Sequence, residues 1–274
     1  MSAVQPLLDV RDLSYRYPGG ADALQEVSFQ VVKGERVAVL GANGAGKSTL
    51  LLHLNGLLLP DDGSVAVDGV PVSESTLRAV RRRVGFVFQN PDDQLFLPTL
   101  LEDVAFAPLN EGEAPAAAEA LARETMRELG IEHAADRAAH HLSGGERRLA
   151  ALATVLVSRP DVLVLDEPTA ALDARGRRHV AELLSGRTET LIMATHDLGV
   201  AASLCERAVV LDAGTVVRDA PLDGILSDGP FLERYGLVAP LPDAPPVWSV
   251  PGGRPVAEEP ARELPPPDSP NRQA

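Results

Sequence analysis

Apolar and polar residues alternate over Leu7–Leu13 and again over Glu26–Val32, the two-residue period of strands with one buried face. Arg36–Leu40 is a short apolar run that stops at Gly41. Beyond Lys47 the apolar residues of 48–54 fall at helical spacing, and Gly56 stands where a helix would end. The pattern therefore predicts strand, glycine-rich turn and helix in immediate succession. Gly63–Val67 followed by Asp68-Gly69 predicts a strand and a hairpin-type turn, Thr76–Arg83 a basic exposed helix, and Val84–Phe88 a further strand. From Pro91 to His141 the character changes. Ala114–Leu129, rich in Ala, Glu, Arg and Leu with Gly130 behind it, predicts a helix, and a long helix is expected over Gly144–Ser158. After Pro160, short apolar runs at Val162–Leu165, Thr190–Ala194 and Ala208–Leu211 alternate with helical patterns at Ala174–Leu184 and Leu198–Leu204, the rhythm of a parallel sheet. The expectation is one α/β domain over 1–237 with a mainly helical subdomain inserted at about 91–158.

The 274 residues, 45% of them hydrophobic, suffice for a packed core. Beyond Leu237 prolines crowd a polar stretch, so 238–274 is expected to be a disordered tail, or else a docking segment for a partner. A formal net charge of -14 argues against nucleic acid as a partner, which requires a clustered excess of Lys and Arg. Cys205 is the only cysteine, so no intrachain disulfide or C-x-x-C site can form, as suits a reducing compartment. Met1–Asp9 has neither the basic start nor the apolar stretch of a secretory signal, and no apolar run approaches the ~20 residues needed to span a bilayer. A cytoplasmic location is expected, with membrane contact only through partners. The six histidines, His53, His133, His140, His141, His179 and His196, show no ligand spacing, and adjacent His140 and His141 are expected to point in different directions.

The chemistry lies in the turns. Gly41-Ala42-Asn43-Gly44-Ala45-Gly46-Lys47-Ser48 fits the phosphate-loop pattern G-x-x-x-x-G-K-S/T, between a strand and a helix where the mechanism needs it. Glycines let backbone N–H groups turn inward around phosphates, and the helix N-terminus adds about half a positive charge. Lys47 then answers the β and γ phosphates, with Ser48, followed by Thr49, placed to ligate Mg2+. Asp166, at the end of the apolar run 162–165, is expected to hold the Mg2+ shell; Glu167 is placed to polarise the attacking water. A second glycine pair opens a helix at Leu142-Ser143-Gly144-Gly145-Glu146 and makes another anion site, one that the first nucleotide cannot also fill.

This last motif resembles the signature L-S-G-G-Q of the ATP-binding-cassette ATPases, in the family's order between phosphate loop and acidic strand. The resemblance covers about Leu7–Arg234: Gln89 matches the Q-loop, Ala171-Leu172-Asp173 the D-loop and Thr195-His196-Asp197 the switch histidine. It implies a P-loop NTPase (RecA-like) fold, with a parallel-sheet core, an antiparallel β subdomain and an inserted α-helical subdomain. It also implies ATP and Mg2+ as cofactors, and catalytic roles for Glu167, His196 and Gln89. Gln89 would join Ser48 and Asp166 around the metal. Tyr17 fits the aromatic that stacks on adenine, with Tyr15 a near competitor. Ser143, Gly144, Gly145 and Asp173 would act in trans, closing on the ATP held by Gly41–Thr49 of a second subunit, identical or related. Phe88-Gln89-Asn90-Pro91-Asp92-Asp93-Gln94-Leu95-Phe96 and Glu102–Asn110 are similar to the segment of energy-coupling-factor and cobalt/nickel uptake ATPases that faces the membrane subunit. His140-His141 resembles the cobalt/nickel branch. Import of a transition metal or a vitamin through separate membrane subunits, driven from the cytoplasmic face, is what the resemblance implies. Two departures stand out: Glu146 replaces Gln, and the stretch from Asp173 to Thr190 is short. A soluble cassette ATPase of DNA repair or translation is the rival, but the coiled-coil inserts, zinc cysteines or second cassette of that class are not visible.

Overall fold

The computed structural model describes residues 5–20 and 22–238. The predicted tail, 238–274, lies outside the described residues from 239 onward. In chain order the elements are β1 (Leu8–Arg16), β2 (Asp22–Val31), β3 (Arg36–Leu40), α1 (Lys47–Leu54), β4 (Asp62–Val67), β5 (Val70–Pro71), α2 (Leu77–Arg83) and β6 (Val84–Val87). There follow α3 (Leu100–Glu111), α4 (Pro115–Glu128), α5 (Gly144–Leu156), β7 (Val162–Asp166), α6 (Ala174–Ser185), β8 (Thr190–Ala194), α7 (Leu198–Leu204), β9 (Arg207–Asp212), β10 (Thr215–Pro221), α8 (Leu222–Leu226) and α9 (Gly229–Arg234).

The alternating segments at the start form a four-stranded antiparallel sheet, β2-β1-β4-β5. Its last turn, Asp68-Gly69, has both residues at positive φ (49° and 75°), the conformation whose twist matches that of the flanking strands. The continuous apolar runs form a six-stranded sheet in the order β10-β9-β3-β8-β7-β6. Strands β7 and β8 are buried at every position, which is why they read as unbroken apolar runs rather than alternating ones. Successive residues still face opposite ways and feed two cores. Val39, Val164 and Ile192 pack with α1 and the antiparallel sheet, while Leu40, Leu163, Leu165 and Met193 pack with α3, α4 and α5. Each such leucine, fully removed from water, contributes about 1.5–3 kcal/mol.

Two elements lie beyond the sequence reading, and one expectation is corrected. The sheet is not wholly parallel: β10, half exposed and without a clean period, adds an antiparallel edge to β9. Helix α3, absent from the sequence reading, carries Pro108 in its interior, but Thr99 and Glu102 close a reciprocal capping box that was the available signal. His140 and His141 do not diverge; a 3-10 turn over Ala139–His141 brings their ring centroids to 4.1 Å.

Candidate nucleotide site

Strand polarity gathers the chemistry. Strands β3, β8, β7 and β6 run parallel side by side, with Val39 level with Ala194, Ala194 with Asp166, and Leu165 with Val87. Their carboxyl ends therefore deliver Gly41, Thr195-His196, Asp166-Glu167 and Phe88-Gln89 to one edge, where ligands bind in open α/β sheets.

At that edge the loop 41–46 turns into α1. Gly46 sits at φ +104°, where a Cβ would stand 2.6 Å from the Ala23 carbonyl oxygen; a Cβ on Gly41 would stand 2.4 Å from the carbonyl oxygen of Leu211. Neither position tolerates a side chain. Lys47 is buried, and its Nζ donates to the carbonyls of Gly41 (2.9 Å) and Ala42 (3.0 Å), stapling the loop to the first turn of the helix. Burial lowers its pKa, against the attraction of Glu167 and Asp166.

Asp166 is buried too, and burial raises its carboxyl above the usual range, while the Ser48 hydroxyl, Lys47 and Arg148 act in the opposite sense. Its Oδ1 is enclosed with no hydrogen-bond partner among the described residues. Glu167 adopts a left-handed conformation, φ 47°, its N–H donating to Ala194 O at 2.9 Å and its carbonyl accepting from Ala170 at 3.0 Å. That turn lifts the carboxylate off the strand end toward His196, whose Nδ1 lies 2.9 Å from Oε2. His196 is 69% exposed, so it can meet a group arriving from solvent.

A cavity of about 410 Å³ is lined by Tyr17, Asp22, Ala23, Asn43, Gly44, Gly46, Lys47, Ser48, Thr49, Gln89, Asp166 and Glu167. Tyr17, 40% exposed, shares a hydrogen bond of 3.2 Å with the Thr49 hydroxyl. Tyr15 instead packs edge-on against buried His53, with ring centroids at 4.8 Å. Of the residues expected to act in trans, Ser143, Gly145 and Asp173 do not line this cavity, and Gly144 lines a separate cleft with Gln89, Arg148 and Leu172. Asp173 caps α6 by accepting from Gly176 N at 2.7 Å.

The signature turn is built on Glu146. Ser143 Oγ accepts from Glu146 N (3.3 Å) and the Glu146 carboxylate accepts from Ser143 N (2.8 Å), while His133 Nε2 stands 3.0 Å from that carboxylate. Bonds from Ser143 and His133 hold the Glu146 carboxyl down at about 2, from 4.5. Because the folded value is depressed, the stabilisation is whole above the unfolded value and fades as pH falls through about 4.5 toward about 2. Melting curves across that window should show the wild-type advantage over Glu146→Gln shrinking with acidification; a pH-independent difference contradicts the pairing.

The sequence reading passed over Arg148, which is buried and donates to the carbonyls of Phe88 (3.0 Å) and Gln89 (2.7 Å). The signal was its place four residues before Leu152, in the apolar stripe of α5.

Fold and site together define a P-loop nucleoside triphosphatase whose second glycine motif caps a neighbouring helix. The family model described as ABC transporter matches residues 24–170. The chain is 45% identical over 241 residues to the cobalt import ATP-binding protein CbiO of Rhodobacter capsulatus, covering 86% of each. It is 44% identical over 239 residues to the energy-coupling factor transporter ATP-binding protein EcfA of Methanothermobacter thermautotrophicus, covering 85% of this chain and 77% of that one. Among solved structures, CbiO1 of Clostridium perfringens, part of the CbiONQ ABC transporter complex, superposes with a TM-score of 0.73 at 34% identity, over 86% of this chain and 96% of that one. A dimeric ATP-binding cassette in a post-hydrolysis state, bound to ADP and Pi, gives a TM-score of 0.72 at 28% identity, over 78% and 98%. The chain belongs to the ABC transporter ATP-binding family, with energy-coupling-factor and cobalt-import proteins among its relatives. It is an ATP-hydrolysing transporter subunit. Among the described residues no helix is long and apolar enough to cross a membrane.

Proposed function

We propose that this subunit drives uptake of a transition metal such as cobalt or nickel, or of a vitamin handled by an energy-coupling-factor system, through separate membrane subunits docked on its Gln89–Asn110 segment. It works at the cytoplasmic face of the membrane as a head-to-tail pair with an identical or related copy. The observation that carries docking is an apolar patch on that segment: Phe96, 65% exposed, stacks edge-on against exposed Phe106 at 5.4 Å. The fold holds Phe96 outward, since the backbone N–H groups of Phe96 and Leu97 both donate to buried Asp103. Exposed aromatics held in place in this way suit a partner surface rather than water.

The head-to-tail pair is supported by the signature glycines. A Cβ at Gly144 or Gly145 would meet nothing within 4 Å, so this chain's own packing does not require glycine there. The N–H groups of Gly144 and Gly145, at the start of α5, stay open to a phosphate approaching from another subunit. In the composite site Lys47 and the loop amides hold the β and γ phosphates, and Tyr17 stacks on the base. Glu167 takes the proton of the attacking water, held in orientation by His196. The unpartnered Asp166 Oδ1 suits a cation shell, so Ser48, Asp166 and Gln89 would hold Mg2+ with the phosphates. Bound there, Mg2+ neutralises charge on the phosphate oxygens. Loss of the γ phosphate removes a group that both subunits grip and loosens the pair.

Phe96→Asp with Phe106→Asp should abolish co-purification with the membrane subunits and ATP-dependent uptake of labelled cobalt or nickel, while MgATP binding by the isolated chain persists. Retained co-purification would refute the docking surface. Uptake of a vitamin but of neither metal would select the other solute class.

A further inference from the structure

Arg148 lies in α5, the helix that Ser143 caps, and is buried with its guanidinium turned away from solvent. Among the described residues nothing acidic pairs with it directly. Nη1 donates to Phe88 O at 3.0 Å, Nη2 to Gln89 O at 2.7 Å and at 3.5 Å to Ala170 O, in the turn between Glu167 and Asp173. Burial lowers its pKa, and Asp166 and Glu167 attract it only at longer range. A buried guanidinium whose partners are all main-chain carbonyls of other segments fixes where those segments lie, because its donors form a rigid planar fork.

The neighbouring contacts point the same way. Gln94, beyond the Gln89 turn, donates to Ala151 O (2.8 Å) and Thr154 Oγ1 (2.6 Å) of α5 and accepts from Phe88 N (3.2 Å). Arg147, also on α5, reaches Asp92 at 3.4 Å. The loop 88–94 is thus fastened to α5 along its length, with Arg148 at the Gln89 end. The same helix begins at Ser143–Gly145. One rigid element therefore carries both the residue facing this chain's own nucleotide cavity and the turn that does not line it.

We propose that Arg148 is a positioning residue for hydrolysis, which sets Gln89 against this chain's nucleotide according to the seating of the signature helix. This rests on the reading of the site given above. Arg148 does not touch the reacting atoms; it acts through the Gln89 main chain, so its effect requires the Gln89 side chain.

The test is a double-mutant cycle on steady-state phosphate release by the purified full-length chain with MgATP. Arg148→Met should lower kcat about tenfold, the scale expected for a displaced positioning group, and leave KM within about twofold. Gln89→Ala should lower kcat as well, and R148M added to Q89A should lower it no further. Arg148→Lys keeps the charge but only part of the fork, and should restore kcat in part, again only where Gln89 is present. If the two losses multiply, or if R148M raises KM at unchanged kcat, Arg148 does not act through Gln89. Should R148M melt below the assay temperature, R148K completes the same cycle. Normal turnover by Glu167→Gln would overturn the reading of the site itself, whereas an inactive E167Q beside a multiplicative cycle would overturn only the role of Arg148.

Discussion

Lys47→Ala should abolish saturable MgATP binding. The side chain is 8% exposed and spends its donors on the Gly41 and Ala42 carbonyls, so its ammonium is already oriented inside the phosphate loop. Little ordering entropy remains to be lost when phosphate oxygens arrive. Hydrogen bonds to a charged group are worth about 1.5–3 kcal/mol each, so losing the two that the free donor and one released from a loop carbonyl give the triphosphate costs at least ~3 kcal/mol, roughly a hundredfold or more in Kd. Alanine also strips the loop carbonyls of their donor and leaves Asp166 and Glu167 without the cation that attracts them. Isothermal titration calorimetry should show no saturation at nucleotide concentrations that fill the wild type, with circular dichroism unchanged. Wild-type affinity in the variant would mean that the loop does not grip the triphosphate through this lysine.

The second large effect is on turnover. Glu167→Gln should cut phosphate release by about 10²–10⁴, the range for removing a general base, while MgATP affinity stays within a few fold. Glutamine has the same shape, keeps the main-chain bonds that hold the turn at φ 47°, and can still reach His196, so the variant removes proton acceptance and little else. With hydrolysis blocked, the γ phosphate persists, and sedimentation should reveal a dimer that forms with ATP and is absent with ADP. Turnover at the wild-type rate, or a chain that stays monomeric with ATP bound, would refute the assignment of the base or of the head-to-tail pair respectively.

Much of this was legible in the chain because the relevant signals are local. A phosphate loop is eight consecutive residues whose glycines are required by their own backbone, as Gly46 at φ +104° illustrates. The signature turn could be read for a similar reason, since Ser143 and Glu146 satisfy each other three residues apart. Tyr17 and Tyr15 could not be separated in that way. They are two residues apart at the end of β1, Tyr15 within the strand and Tyr17 just past it, and only the packed structure turns Tyr15 onto His53 and leaves Tyr17 beside Thr49. Arg148 was missed because a cation in a charged helix start ordinarily faces solvent, and its carbonyl partners at 88 and 89 are about sixty residues away in the chain.

The amino-acid sequence by itself determined most of the segments that become strands and helices and the turns proposed to bind phosphate, because hydrophobic period, glycine freedom and helix capping act over a few residues. It left open the strand order β10-β9-β3-β8-β7-β6, in which β8 separates the loop-bearing β3 from the acid-bearing β7 and brings His196 onto Glu167. That order, the antiparallel edge of β10 and the burial of Arg148 were decided by tertiary structure. Pairing between distant strands and the desolvation of a charge depend on everything packed around them, which no short window of sequence contains.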